Sequence, residues 1–303
     1  MSDTLPPRGP SVVNWIEIFA LGVIWGGSFL SVRLALEGFT PFTVAAGRIV
    51  IATVALGLLC WLRGLRLPGK GQHKVWLHAM GMAFFTNALP FSLIAWAQQH
   101  VTSGFAGISM ALVPLFTLVL AHYLLPNERL SVPRMIGFGF GLCGVVVLIG
   151  TDALHPHGGA LEPVARVLCI AATCSYAIGS IITRRCPPVD PVVFSTTALI
   201  GASAMIVPVA LLVDGIPAVP PSGAMLALLY LGLMPTAFAT LLMVHVIRTA
   251  GPTFLTQTNY HVPVWSVILG TLVLSEPLPA QFVIALGLIL TGLAISRRAL
   301  RRA

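Results

Sequence analysis

Long apolar runs alternate with short polar joints along nearly the whole chain. The runs fall near residues 14–36, 42–62, 75–97, 103–125, 133–150, 163–183, 191–213, 223–247, 252–274 and 279–296. A helix rises about 1.5 Å per residue, so about 20 apolar residues cross a hydrocarbon core roughly 30 Å thick. The pattern predicts an all-α integral membrane protein with ten transmembrane helices. Tight joints beside Gln98–Ser103 and Arg248–Gly251 make nine helices the competing count. The N-terminal run is too long for a signal-peptide core, so no cleavage is expected.

Composition narrows the class further. Only 9% of the 303 residues are charged and 57% are AVILMFWYC, and the mean hydropathy is +0.94. Soluble domains carry about 25% charge. A surface of this size cannot be coated for water, which excludes a soluble enzyme, a disordered chain and a nucleic-acid binder despite the net charge of +8. Ten crossings consume roughly 200–220 residues, leaving no room for an extramembrane domain. The five cysteines, Cys60, Cys143, Cys169, Cys174 and Cys186, are odd in number and lie mostly inside apolar runs. They give neither a disulfide framework nor metal-ligand spacing, so no cofactor or metal is expected.

The placement of the 17 basic residues sets the orientation. Arg8, Arg63, Arg66, Lys70, Lys74, Arg129, Arg134, Arg184, Arg185, Arg248, Arg297, Arg298, Arg301 and Arg302 all fall on one side of the ten-helix map. The other side has Arg33, Arg166 and the acids Glu37, Asp152, Glu162, Asp214 and Glu276. The positive-inside rule then puts both termini in the cytoplasm. A nine-helix map scatters these charges.

The chain also repeats itself. Pro114 to Leu130, with Glu128 near its end, returns as Pro263 to Leu278 with Glu276. Gly137, Gly139 and Gly144 match Ala285, Gly287 and Gly292 at a constant offset, and Thr40-Pro41-Phe42 matches Asp190-Pro191-Val192. Each half, 14–150 and 160–297, thus holds five helices. Five is odd, so the second half enters from the opposite face and the halves are inverted repeats. That arrangement belongs to carriers that alternate access around a site near the midplane. Glu128 and Glu276 lie at span ends and are read as shaping helix-to-helix turns.

Ile24-Trp25-Gly26-Gly27-Ser28-Phe29 in span one, Ala45-Ala46-Gly47-Arg48 in span two and the two Pro…Glu…Leu runs resemble the drug/metabolite transporter superfamily. The likeness is to its ten-helix EamA-type members and, within them, to YddG-type amino-acid exporters. It covers essentially residues 14–296. The resemblance implies a monomeric metabolite exporter of the inner membrane, with spans one, three, four, six, eight and nine facing the cavity and five and ten supporting. The partners it implies are a small-molecule substrate and membrane lipids, with no nucleic acid.

Small multidrug members of that superfamily carry a mid-membrane carboxylate in the first helix. Here Trp25 and its neighbours occupy that depth, and Glu17 lies nearer the cytoplasmic end. An acid-free midplane favours neutral or zwitterionic cargo and facilitated diffusion. The candidate substrate-binding groups are Trp25 and Ser28 in span one, Asn87 in span three, Tyr176 and Ser180 in span six, and Gln257, Asn259 and Tyr260 in span nine. Thr256, Asn259, Tyr260 and Pro263 recur at helical spacing and predict one polar stripe. Pro90, Pro114, Pro235 and Pro263 are hinge candidates, since proline frees a carbonyl and permits a bend; static kinks are the competing reading. His78 belongs near the surface and His245 somewhat deeper. Arg48 lies about 10 Å below the outer surface. It either bonds another helix or holds a substrate carboxylate, and the family resemblance favours the structural role.

Other functions remain in view. Gly201-Ala202-Ser203 with His261 is a faint match to an intramembrane protease, but small-residue runs are ordinary packing surfaces in membranes. A channel lacks its charged ring. A lipid or drug transporter of the same fold is the closer alternative to amino-acid export.

Overall fold

The computed structural model describes residues 10–97, 99–101, 109–126, 131–150, 159–217, 220–274 and 280–300. Glu128, Glu276, Asp152, Arg8, Arg129, Arg301 and Arg302 lie outside them. The described residues are helical, without strands. In chain order the elements are α1 (Val12–Ala35), α2 (Pro41–Leu62), α3 (His73–Met82), a π-helical segment (Ala83–Ala88) and α4 (Leu89–Ala97). Then come α5 (Val113–Leu124), α6 (Val132–Ile149), α7 (Glu162–Arg185), α8 (Pro191–Val213) and α9 (Ser222–Leu231). A second π segment (Gly232–Phe238) leads to α10 (Ala239–Ala250), α11 (Pro252–Leu255), α12 (Thr258–Leu274) and α13 (Phe282–Leu300).

Local chemistry starts these helices. Proline sits at the first helical positions of α2, α5, α6, α7, α8 and α11, where its missing N–H costs nothing and its fixed φ suits the helix. Ser11 and Asn14 form a reciprocal capping box at α1. Asp190 accepts the first N–H groups of α8, from Val192 at 2.8 Å and Val193 at 3.3 Å. At the matching position Thr40 leaves α2 uncapped by its own side chain. Asp214, at the far end of α8, accepts from Thr43 N–H at 2.8 Å instead, and from the Thr40 hydroxyl. One helix thus carries the caps for two.

Among the described residues six stretches are long and apolar enough to cross a membrane: Val12–Val32, Pro41–Leu62, His73–Ala97, Glu162–Arg185, Pro191–Val213 and Ser222–Ala250. Val113–Leu124, Val132–Leu148 and Phe282–Ser296 are shorter apolar helices. Their outward faces are greasy. Val54, Leu58 and Trp61 on α2, Leu212 at the end of α8, and Val283, Ile284 and Leu290 on α13 are all exposed. Such a continuous apolar surface suits lipid.

The two halves of the sequence touch in a matched way. A Cβ on Gly137 would meet the Gly292 carbonyl at 2.7 Å, and one on Gly144 the Ala285 carbonyl at 3.0 Å. Small residues let α6 and α13 approach backbone to backbone. Gly137 corresponds to Ala285 and Gly144 to Gly292, so corresponding positions exchange partners. In the register that pairs Thr40-Pro41 with Asp190-Pro191, Thr53 corresponds to Ser203. Their hydroxyls lie 2.8 Å apart where α2 packs on α8.

Candidate functional site

Two prolines explain the π segments. Pro235 has no N–H for the Leu231 carbonyl four residues back, and the helix widens around it. The Thr236 hydroxyl donates to that freed carbonyl at 2.8 Å. Pro90 follows the first π segment, in which the Asn87 amide donates to the Met82 carbonyl at 3.4 Å. Wide turns of this kind expose carbonyls to side chains of other helices. The Trp25 indole N–H donates to the Pro235 carbonyl at 3.2 Å.

Arg48 comes to the same place from α2. Gly47 beside it faces Leu228 of α9, and a Cβ on Gly232 would collide with Ile51 at 2.5 Å. These two glycines let α2 lie close against the second π segment. Arg48 Nε then donates to the Thr236 hydroxyl at 2.9 Å. The guanidinium stacks over the Phe91 ring, 4.5 Å from its centroid. Phe91 in turn meets Tyr176 edge to face at 6.5 Å, and Tyr176 is close enough to Arg48 for electrostatic interaction. Trp25, Arg48, Phe91 and Tyr176 are each half-buried, while Thr236 is buried. Five helical stretches from both halves of the sequence therefore converge on one aromatic-walled polar centre. An arginine at the centre of a membrane helix costs about 2.5–3.5 kcal/mol on insertion scales. None of the described acids pairs with this one.

The candidates divide around this centre. Trp25 and Tyr176 belong to it. Ser28 is half-buried but bonds the Trp25 carbonyl of its own helix at 2.7 Å, and buried Ser180 does the same to Ala177 at 2.8 Å. Asn87 is buried within the first π segment. Span nine departs from the expected stripe, because a turn at Thr256–Gln257 separates α11 from α12. Asn259 is half-buried and bonds back to the Thr256 carbonyl at 3.2 Å. Tyr260 points the other way: it is buried against α6, its hydroxyl donating to the Phe138 carbonyl at 3.3 Å. Gln257 is 1% exposed with Oε1 lacking a protein partner, as do Thr253 Oγ1, Thr258 Oγ1 and His261 Nδ1 nearby.

Of the prolines, Pro235 lies inside a π segment and Pro90 just after one. Pro114 starts α5 directly after a turn at Ala111–Leu112, and Pro263 sits inside α12, which continues through it. Ser203 gives its hydroxyl to Thr53. His78 bonds the Lys74 carbonyl at 2.7 Å.

A set of cross-ties gathers at the end of the bundle where α1 begins, here termed the proximal end. His245 Nδ1 lies 2.6 Å from Glu17 Oε1, joining α10 to α1. The Asn14 amide donates to Glu17 at 3.1 Å and to the Thr249 hydroxyl at 2.9 Å. Arg184 of α7 donates to the carbonyls of Ile247 and Arg248, and Arg248 to that of Val189. Trp15 and Phe254 meet edge to face at 5.0 Å. The sequence placed Glu17 and His245 but gave no sign that residues 228 apart in the chain form a pair.

A lipid-faced helical bundle with a polar centre shared by both halves defines a membrane transport protein. The chain belongs to the EamA-like transporter family, which it matches over residues 15–150 and again over 164–298. It is 28% identical to the uncharacterized inner membrane transporter YedA of Escherichia coli (strain K12), across 92% of this chain and 88% of that one. It is 26% identical to the S-adenosylmethionine/S-adenosylhomocysteine transporter of Chlamydia trachomatis serovar L2, across 91% and 86%. A probable terminal-alkyne amino-acid exporter of Streptantibioticus cattleyicolor is 24% identical across 92% of each chain. A solved crystal structure shares the fold with a TM-score of 0.80 at 21% identity, covering 97% of this chain and 99% of that one.

Proposed function

We propose that this transporter is an exporter of the inner membrane for small neutral or zwitterionic solutes, chiefly amino acids with apolar or aromatic side chains. The observation that carries the reading is the aromatic centre of Trp25, Phe91 and Tyr176, wrapped around one polar corner at Arg48 and Thr236. Its walls suit an apolar side chain and its polar corner suits a charged head. The named amino-acid exporter and inner membrane transporter among the relatives support both substrate class and location.

In this reading ten helices cross the membrane as two inverted five-helix repeats, 14–150 and 160–297, with both termini cytoplasmic. The Thr53–Ser203 contact supports it, because a residue touching its own counterpart lies on the axis relating the halves. The proximal end is then the cytoplasmic gate, closed by Glu17–His245 and the arginine–carbonyl ties. The cycle alternates between this state and one in which those ties part. The acid-free centre supports facilitated movement over obligate proton exchange. Proteoliposomes loaded with a panel of radiolabelled amino acids test the reading. Saturable efflux of phenylalanine, tyrosine or leucine is expected, and a lipid or multidrug carrier would instead move labelled lipid or cationic dye.

A further inference from the structure

Resting on that transporter reading, we infer that Arg48 anchors a carboxylate of the solute, and that the site needs no ammonium group beside it. Among the described residues no carboxylate pairs with it: Glu162–Arg166 and Glu17–His245 involve other elements, and the described side chains that interact with Arg48 are Thr236, Phe91 and Tyr176. Thr236 takes Nε and Phe91 takes one face of the guanidinium. That fixes the plane and leaves the Nη1 and Nη2 edge without a partner among the described residues. Neither nitrogen is among the buried atoms lacking a partner, and the residue is half-buried, so this edge is accessible.

A structural arginine looks different in this same molecule. Arg184 directs Nη1 onto the carbonyls of Ile247 and Arg248 and ties two helices. Arg48 makes no such carbonyl bond. Its free edge is the paired-donor fork that matches a carboxylate with two parallel hydrogen bonds. The repeat supplies no second copy: in the Thr40/Asp190 register Arg48 corresponds to Ala198, which is wholly buried. One cation in the centre takes one anionic head. An α-ammonium finds no acid there, so selection falls on the carboxylate and the apolar body. The substrate class is organic monocarboxylates with an aromatic or bulky apolar group, with or without an α-amino group.

Four matched probes test this with the full-length protein in proteoliposomes: 3-phenylpropionate, L-phenylalanine, L-phenylalanine amide and 2-phenylethylamine. The wild type is expected to move the two carboxylates and neither amine. Arg48→Gln is expected to lower carboxylate flux about tenfold or more, as for loss of hydrogen bonds to a charged group. Arg48→Lys keeps the charge but loses the fork and falls between. Size-exclusion elution of each variant reports folding, and the wild-type discrimination among probes stands independently of any variant. Equal flux of carboxylates and amines, or undiminished flux through folded Arg48→Gln, overturns the anchor and leaves the transporter reading standing. No flux of any probe through the wild type removes both.

Discussion

Tyr260 shows how far a single residue's role depends on the neighbour it meets. Its spacing from Thr256 and Pro263 suggested a cavity stripe, but its ring fills the contact between α12 and α6 and Gly141 packs directly against it. Tyr260→Ala should therefore destabilise the protein by about 3–5 kcal/mol, as for other large buried rings. Tyr260→Phe gives up one 3.3 Å hydrogen bond and should cost about 1 kcal/mol. Thermal unfolding in detergent, followed by monodispersity, separates the two. Thr236 carries more than its size suggests, since its hydroxyl serves both the Leu231 carbonyl and Arg48. Thr236→Val should leave expression near wild type and impair transport. Arg48 was legible in the sequence as a charge about 10 Å below the outer surface, read there as structural in preference to substrate-binding. Its partners were not, because Thr236 lies 188 residues away and an isolated threonine in an apolar run carries no signal.

Six of the spans were readable because hydropathy and length decide them. Their interruptions were not. Two π segments, the turn inside span nine and the turn at Ala111–Leu112 depend on which carbonyls find a partner in a neighbouring helix, a tertiary matter. Pro90, Pro114 and Pro235 marked three of these places; in span nine the turn precedes Pro263 by nearly two helical turns. The proline rule thus located bends more reliably than it shaped them. At the α11–α12 turn, the Gln257 carbonyl oxygen is buried without a partner, at a typical cost of about 1–3 kcal/mol. Gln257→Leu should raise the melting temperature, and it should slow transport if that oxygen finds its partner in another state of the cycle. On the supporting pair, a Cβ on Gly292 would lie 2.5 Å from the Gly137 carbonyl. Gly292→Leu should force α6 and α13 apart and abolish a monodisperse product in size-exclusion chromatography.

For the whole molecule, the low charge content announced a membrane bundle. What the sequence could not show is that one group of long-range polar ties gathers at the proximal end. Glu17, His245, Arg184 and Arg248 join α1, α7, α10 and the Val189 carbonyl ahead of α8 there. The proposed gate makes an accessibility prediction. In a background lacking the five native cysteines, Ser28→Cys should label slowly from the cytoplasmic side, and adding Glu17→Gln with His245→Ala should speed that labelling several-fold. Equal rates would mean that this pair does not hold the gate.

The central claim is that this bundle moves small apolar or aromatic amino acids across a membrane without a driving proton gradient. Efflux of radiolabelled L-phenylalanine from proteoliposomes, with the same pH on both sides, measures it directly. Saturable efflux well above protein-free vesicles is expected. Efflux no faster than from protein-free vesicles would contradict it.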